Sequence, residues 1–244
     1  MRYLLILLLF ACTGQLYAQQ KDSLVSLEKK AEVNDLRLTP KPVLRARSLY
    51  LPLTLITYGF VSRSSGELKE FDTQIKDEIR KNSSFHTRID DYLQYTPGLA
   101  VYGLNAVGIK GQHNFRDRTL IYLLSNVISG ITVSSLKSIT KELRPDGSAI
   151  TSFPSGHTAT AFTGAEFLRQ EYKNVSPWYG IAGYTVATAT GILRMYNNKH
   201  WLRDVVAGAG VGILSTEVAY WLAPKIAKIL FRKKTAYHFD PAKF

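Results

Sequence analysis

Four long runs without a formal charge constrain this chain more than any other feature of its 244 residues. Tyr92 to Ile109 and Thr119 to Leu136 hold 18 residues each, Asn174 to Leu193 holds 20, and Val205 to Ala223 is interrupted only by Glu217. As helix, about 20 mostly apolar residues cross the hydrocarbon core of a bilayer, so all four qualify on length. A fifth run, Gly147 to Ala165, carries only His157 but is polar in its first half. Ser48 to Ser62 is 15 residues long and holds Pro52. At about 1.5 Å per residue it spans poorly.

The runs are rich in Gly, Ala, Ser and Thr, and mean hydropathy is -0.07, so a soluble helical core is the competing reading. Small residues suit close helix contact in lipid, and Gly208 with Gly212 makes a GxxxG pair. Residues 208–212 do not fit a dinucleotide loop, because no strand precedes them and no GxGxxG follows. With no convincing strand run and no internal repeat, the expected class is all-α, a multi-helix transmembrane bundle.

The N-terminus reads as a signal peptide over residues 1–18: a basic tip at Arg2, an apolar run from Leu4 to Phe10, and Ala18 before Gln19. An uncleaved anchor helix is one alternative. Lipid attachment at Cys12 is another, although Phe10 fits poorly two residues before it. Either cleavage removes free-thiol chemistry, because Cys12 is the only cysteine. Residues 19–91 read as a periplasmic leader with amphipathic or interfacial helices. Within it, Leu68, Phe71, Ile75 and Ile79 recur at helical spacing among charges. Residues 92–224 form the expected transmembrane domain and 225–244 a basic tail.

A net charge of +12 suits nucleic acid, anionic lipid or a phosphate-bearing substrate. Nucleic acid is excluded as a partner: an exported chain rarely meets it, and the basic residues are not interleaved with aromatics as a stacking surface requires. Membrane and anionic lipid are favoured.

Between residues 137 and 204 three segments carry the chemistry. Lys137 is followed after six residues by Arg144-Pro145. Pro154-Ser155-Gly156-His157 comes next, and then Arg194, five residues, His200, three residues and Asp204. Lys137, Arg144 and Arg194 lie at the ends of uncharged runs, where they can gather a phosphate dianion. Ser155 and Gly156 open a helical run, and free N–H groups at a helix start bind anions. His200 and Asp204, four apart, share a helix face, so the carboxylate can fix the tautomer and leave the other ring nitrogen free to attack phosphorus. His157 is then available to protonate the leaving oxygen. Taken singly, each residue also has an ordinary structural use at a helix end. His86, His113 and His238 are read as polar end groups, and Lys141 and Arg203 as solvated.

Jointly the set resembles the signature of the type 2 phosphatidic acid phosphatase superfamily: Lys-x6-Arg-Pro, Pro-Ser-Gly-His, and Ser-Arg-x5-His-x3-Asp. Every spacing agrees, with Leu193 standing where the pattern has a serine before Arg194. The resemblance covers 137–204 by motif and about 92–223 by its helical runs. It implies that Lys137, Arg144 and Arg194, with the Ser155 hydroxyl and the Gly156 N–H, hold the phosphoryl oxygens. It further implies His200 as nucleophile oriented by Asp204, His157 as general acid and later base, and neither cofactor nor metal. The residues offer no carboxylate cluster arguing for a metal.

Membrane members of the family open their site to the periplasm. That orientation leaves Lys110, Arg116 and Arg118, and the tail with Lys225, Lys228, Arg232, Lys233 and Lys234, on the cytoplasmic side of an inner membrane, as the positive-inside rule requires. Parity and length then make Ser48–Ser62 a re-entrant or surface-lying piece. The expected substrate is a phosphorylated membrane lipid, first lipid A, at the 4′ position among others. Undecaprenyl pyrophosphate and phosphatidylglycerophosphate are alternatives, as is a soluble periplasmic acid phosphatase.

Overall fold

A computed structural model describes residues 44, 46–81 and 86–231. The expected signal peptide, residues 19–43, 45 and 82–85 of the leader, His238 and the tail beyond residue 231 lie outside the described residues. Among the described residues there are eight helices and no strand. They are α1 (Ala46–Ser64), α2 (Gly66–Lys81), α3 (Ile89–Leu93), α4 (Thr96–Ala106), α5 (Phe115–Thr140), α6 (Gly156–Tyr172), α7 (Pro177–Tyr196) and α8 (Leu202–Leu230).

Local chemistry sets the boundaries. The Asn114 side chain accepts the Asp117 N–H at 3.0 Å and starts α5, with Asp117 also placed favourably in the first turn. Lys141 ends α5 in the left-handed region, at φ 45°. Ser176 accepts the Trp178 N–H at 3.3 Å and Pro177 opens α7. At α8 the Asp204 carboxylate reaches back to the Trp201 N–H at 3.0 Å.

From α4 onward the helices alternate in direction, so the ends of α5 and α7 and the starts of α6 and α8 meet at one end of the bundle. There the Ser155 N–H donates to the Asp204 carbonyl at 3.0 Å. At the opposite end Tyr172 donates to the Ile109 carbonyl at 3.0 Å, and Arg116 lies 4.6 Å from the centre of the Phe231 ring. The core between them contains Val101, Ile121, Phe167, Leu168, Tyr172, Ala219 and Ala223, with Tyr122 stacked on Phe167 at 4.9 Å.

The GxxxG pair is a packing device, as its spacing suggests. A Cβ on Gly208 would lie 2.6 Å from the Ser155 carbonyl, and one on Gly212 would collide with the Ala159 carbonyl of α6. Glycine at these two positions lets α8 approach the α6 backbone directly.

Two of the long runs become helices long and apolar enough to cross a membrane, α5 and α8. On α5, Leu123, Val127 and Ile131 form an exposed stripe at a spacing of four, a surface suited to lipid. The Tyr92–Ile109 run does not become one long helix. α3 ends at Leu93 and α4 restarts at Thr96 with Pro97 in its first turn, which leaves 11 residues of helix. That is about 16 Å, short of a full crossing. The fifth run yields the 17 residues of α6, and Asn174–Leu193 yields the 20 of α7.

The segment around Ser48–Ser62 is a continuous 19-residue helix, α1. It packs lengthwise and antiparallel against α8: a Cβ on Gly59 would lie 2.6 Å from the Ala207 Cβ, and one on Gly210 would lie 2.6 Å from the Pro52 carbonyl. The expected surface-lying piece is therefore a bundle helix, seated by small residues of α8. The amphipathic spacing of Leu68, Phe71, Ile75 and Ile79 appears as α2.

Two residues read differently in space, and an acid inside the last run finds partners. Arg203, expected to be solvated, is buried and pairs with Asp72 of α2 at 2.5 Å and with Glu142 at 2.7 Å. His113, expected to be an end group, lies 2.7 Å through Nδ1 from the buried Glu171 carboxylate. Glu217, the one charge inside the last run, is reached by Gln170 at 2.8 Å and Arg169 at 3.3 Å, with Glu166 on the same guanidinium. Such pairing is what lets an acid remain inside a helix bundle.

Candidate active site

The three motifs converge at one end of the bundle. α5 brings Lys137 in its last turn, the 141–155 loop brings Arg144, the start of α6 brings Ser155, Gly156 and His157, the end of α7 brings Arg194, and the turn into α8 brings His200 and Asp204.

The loop is braced on both sides. The Arg144 N–H donates to the Ala149 carbonyl at 2.9 Å, around a turn in which Gly147 adopts φ +72°. Glycine takes that conformation without steric cost. Lys199 pairs with Asp146 at 2.6 Å, and the Trp201 indole donates to the Leu143 carbonyl at 3.0 Å. Against the pull of burial, Lys199 and Ser148 hold the Asp146 carboxyl down to about 2. The Asp146 carboxyl is thus ionised throughout the neutral range.

His200 is 3% exposed and Asp204 fully buried. Nδ1 of His200 lies 3.4 Å from Oδ2 of Asp204, within ion-pair range but outside hydrogen-bond geometry. Oδ2 is already held by the Ser152 hydroxyl at 2.5 Å and the Trp201 N–H at 3.0 Å, while Oδ1 has no hydrogen-bond partner among the described residues. Burial, against the pull of Asp204 and assisted by Lys137 and Arg194, drives the imidazole down to about 4. At neutral pH His200 is therefore a free base with an unshared pair on a ring nitrogen.

The cations differ in how much of their donor capacity is committed. Lys137 gives its ammonium to the Thr151 carbonyl and, at 3.4 Å, to that of Ser152, leaving one N–H of three. Arg194 is 8% exposed and donates through Nη1 to Asp90 at 2.6 Å. The Nε–H groups of Arg144 and Arg194 are buried without a hydrogen-bond partner among the described residues. Each such buried donor costs on the order of 1–3 kcal/mol unless an acceptor arrives, which suits an oxyanion site.

Ser155 caps α6, accepting from the Thr158 N–H at 3.4 Å and the Thr158 hydroxyl at 2.9 Å, so its own proton remains to be donated. A Cβ on Gly156 would meet nothing nearer than Val133 at 3.8 Å, so the backbone there stands open to a ligand.

Four contributors were not singled out from sequence. Asp90 of α3, fully buried, accepts from Arg194 and, at 3.0 Å, from Asn197, which also bonds the Thr87 backbone at both its N–H and its carbonyl. Asp91, next to it, lies 3.0 Å from Nε2 of His157, and that hydrogen bond holds its carboxyl below the usual range. Ser152 and Asn197 complete the set. The donor atoms of Asp90, Asp91 and His157 lie within 4.8 Å of one another, the spacing of a metal site and a cluster the sequence did not suggest. Here those donors are spent on the Arg194 guanidinium, on Asn197 and on each other, so a resident cation already occupies the role.

Comparison with known proteins picks out the same stretch of chain. Residues 118–228 match the model described as the PAP2 superfamily. A lipid A 1-phosphatase of Porphyromonas gingivalis is 44% identical over 161 residues, 66% of this chain and 35% of that protein. A bacitracin transport permease protein of Bacillus licheniformis is 37% identical over 78 residues, 32% of this chain and 36% of that protein. The chain thus spans about a third of the length of these curated relatives. The crystal structure of a transmembrane PAP2-type phosphatidylglycerolphosphate phosphatase from Bacillus subtilis aligns with a TM-score of 0.52 at 22% identity, covering 72% of this chain and 98% of that one, a likeness of fold. Residues 118–228, the stretch that carries all three motifs, thus match the PAP2 superfamily.

Proposed function

We propose that this protein is a membrane phosphatase that hydrolyses a lipid phosphomonoester without a metal, through a phosphohistidine on His200. The observation that carries the reading is the convergence of a buried, neutral His200 with Arg194 and the 144 and 155–157 segments at one end of the bundle. In the first step Nε2 of His200 attacks phosphorus, the P–O bond to the lipid breaks, and His157 gives the leaving oxygen its proton. Lys137, Arg144, Arg194, the Ser155 hydroxyl and the Gly156 N–H hold the three equatorial oxygens. Asp204 stabilises the His200 imidazolium as it forms. In the second step His157 takes a proton from water, which attacks the phosphohistidine and releases inorganic phosphate. A positioned acid of this kind contributes about a hundredfold to ten-thousandfold in rate.

The substrate we propose is lipid A. The name of the 44%-identical relative favours the 1-phosphate over the 4′ position considered from sequence. We further propose an inner-membrane location with the site facing the periplasm; because α1 lies along α8 and α3 supplies Asp90 and Asp91, the phosphatase unit begins at α1 rather than at residue 92. The exposed apolar stripe of α5 supports membrane residence. Arg116, Lys225 and Lys228, which belong to the end opposite His200, support the orientation.

The test is mass spectrometry of lipid A from cells with and without the gene, together with phosphate release by the purified chain. The reading expects loss of one phosphate only when the gene is present, inhibition by vanadate, which adopts the geometry of in-line displacement, and insensitivity to EDTA. Unchanged lipid A and no phosphate release, or activity lost in EDTA and restored by a divalent metal, would overturn it.

A further inference from the structure

The three motifs supply an acid at His157 but no group to hold it. A general acid needs one ring nitrogen aimed at the leaving oxygen and the other anchored, because a free imidazole rotates about its two side-chain torsions and samples both tautomers. The anchor is found on α3, 66 residues before His157 in the chain.

We propose that Asp91 is the positioning residue of the general acid: its carboxylate takes the Nε2–H of His157, fixes the ring, and leaves Nδ1 as the atom that delivers the proton. The proposal rests on the phosphatase reading above and deepens it.

The geometry supports a built contact. Asp91 Oδ1 is 3.0 Å from Nε2 of His157. α3 is a five-residue helix that could not hold a position by itself. It is fixed by the residue beside Asp91: Asp90, fully buried, is bonded to Arg194 at 2.6 Å and to Asn197 at 3.0 Å. Asn197 in turn grips both backbone groups of Thr87, at 3.0 and 2.8 Å. Adjacent acids therefore do different work, one locking α3 to the end of α7 and the other facing the imidazole. Asp91 remains a carboxylate because His157 lies on one oxygen, Arg88 is 3.6 Å from the other, and Arg194 is 4.0 Å away.

The proton inventory balances. In the form that reacts, His157 is an imidazolium, with its Nε2–H on Asp91 and its Nδ1–H toward the substrate. As the P–O bond breaks, its electron pair stays on the leaving oxygen, which takes the Nδ1 proton and departs as an alcohol. His157 becomes neutral with hydrogen retained on Nε2, the tautomer whose free Nδ1 can then accept a proton from water. Asp91 never gains or loses a proton. Burial and the Arg194 guanidinium pull the His157 pKa below its ordinary value, and the Asp91 and Asp90 carboxylates oppose them.

A leaving-group comparison tests this on the purified full chain. Dioctanoyl phosphatidic acid leaves as an alkoxide and needs the acid, whereas p-nitrophenyl phosphate leaves as a stable anion and does not. With kcat/KM, which reports the first transfer alone, Asp91→Asn is expected to lower the alkyl-to-aryl ratio by about 10–100-fold. Removing the carboxylate charge lowers the pH at which His157 loses its proton, so the basic limb of the alkyl profile moves to lower pH. His157→Ala should show the same selectivity more strongly, and Asp91→Asn should add nothing to it.

Equal loss on both substrates, an unshifted basic limb, or full additivity with His157→Ala would overturn the positioning role while leaving the phosphatase reading intact. A wild-type chain that releases phosphate from neither substrate would overturn both.

Discussion

Replacing Arg203 by Met should destabilise the protein far more than a surface arginine would. The side chain is 5% exposed and bonds Asp72 of α2 at 2.5 Å and Glu142 of the 141–155 loop at 2.7 Å. Methionine keeps the volume and removes both bonds, leaving Asp72 fully buried with no countercharge. Breaking one side of a buried pair in this way costs about 3–5 kcal/mol. For a chain of this size, 1 kcal/mol moves Tm by roughly 2–4 °C, so the loss is about 6–20 °C. Burial already holds the Asp72 carboxyl above its ordinary value even beside Arg203. In the variant it rises further, so the folded state binds a proton that the unfolded state does not. Stability then falls as pH rises toward that higher folded pKa, and the deficit at pH 8 should exceed that at pH 5. Asp72→Leu combined with Arg203→Met removes both charges and should recover much of the loss. The assay is thermal unfolding in detergent at the two pH values. A single-variant loss below about 1 kcal/mol, or a double variant no better than the single, would refute the reasoning.

Burial drives His200 down to about 4, so after allowance for ionisation of the substrate the acid limb of kcat/KM should fall near pH 4; a limb at an ordinary histidine value would contradict the neutral nucleophile. Gly208→Val drives a side chain toward the Ser155 carbonyl and should cost about 1–3 kcal/mol or more, whereas Gly130→Ala, with nothing within 4 Å, should be neutral or slightly stabilising; thermal unfolding separates them. A cysteine at Ser148, exposed beside the site, should react with an impermeant thiol reagent once the outer membrane is permeabilised, and one at Lys225 should not, on a Cys12-free background; the reverse pattern would invert the topology.

Much of the site was legible because its chemistry is compressed into fixed spacings. Ser155 to His157 open one helix, and Lys137 and Arg194 terminate two; His200 and Asp204 are four apart as read, although His200 stands just before the Trp201 cap and only Asp204 is on the helix. What escaped notice lacks such a local signal. Asp90 and Asp91 stand at the border of a charged amphipathic stretch, where acids are ordinarily solvated, and only the fold of α3 onto Asn197 buries the first and aims the second. Arg203 was misread for the same reason: one residue from a motif acid, it turns toward α2, and no spacing within its own helix reveals Asp72. The break at Gln94–Tyr95 was missed because an uncharged run reports length, whereas Pro97 decides where a helix can restart. The family match covers 118–228, where the motifs lie, and not α3.

The most direct test of the central claim is to trap the phosphorylated enzyme. Wild-type chain mixed with lipid substrate is quenched within the first turnovers in alkali, where phosphohistidine survives, then digested and sequenced by mass spectrometry. The account predicts one phosphate on His200, lost on acid treatment and absent from His200→Ala, which should also release no inorganic phosphate. Phosphate on another residue, or wild-type turnover in His200→Ala, would contradict it.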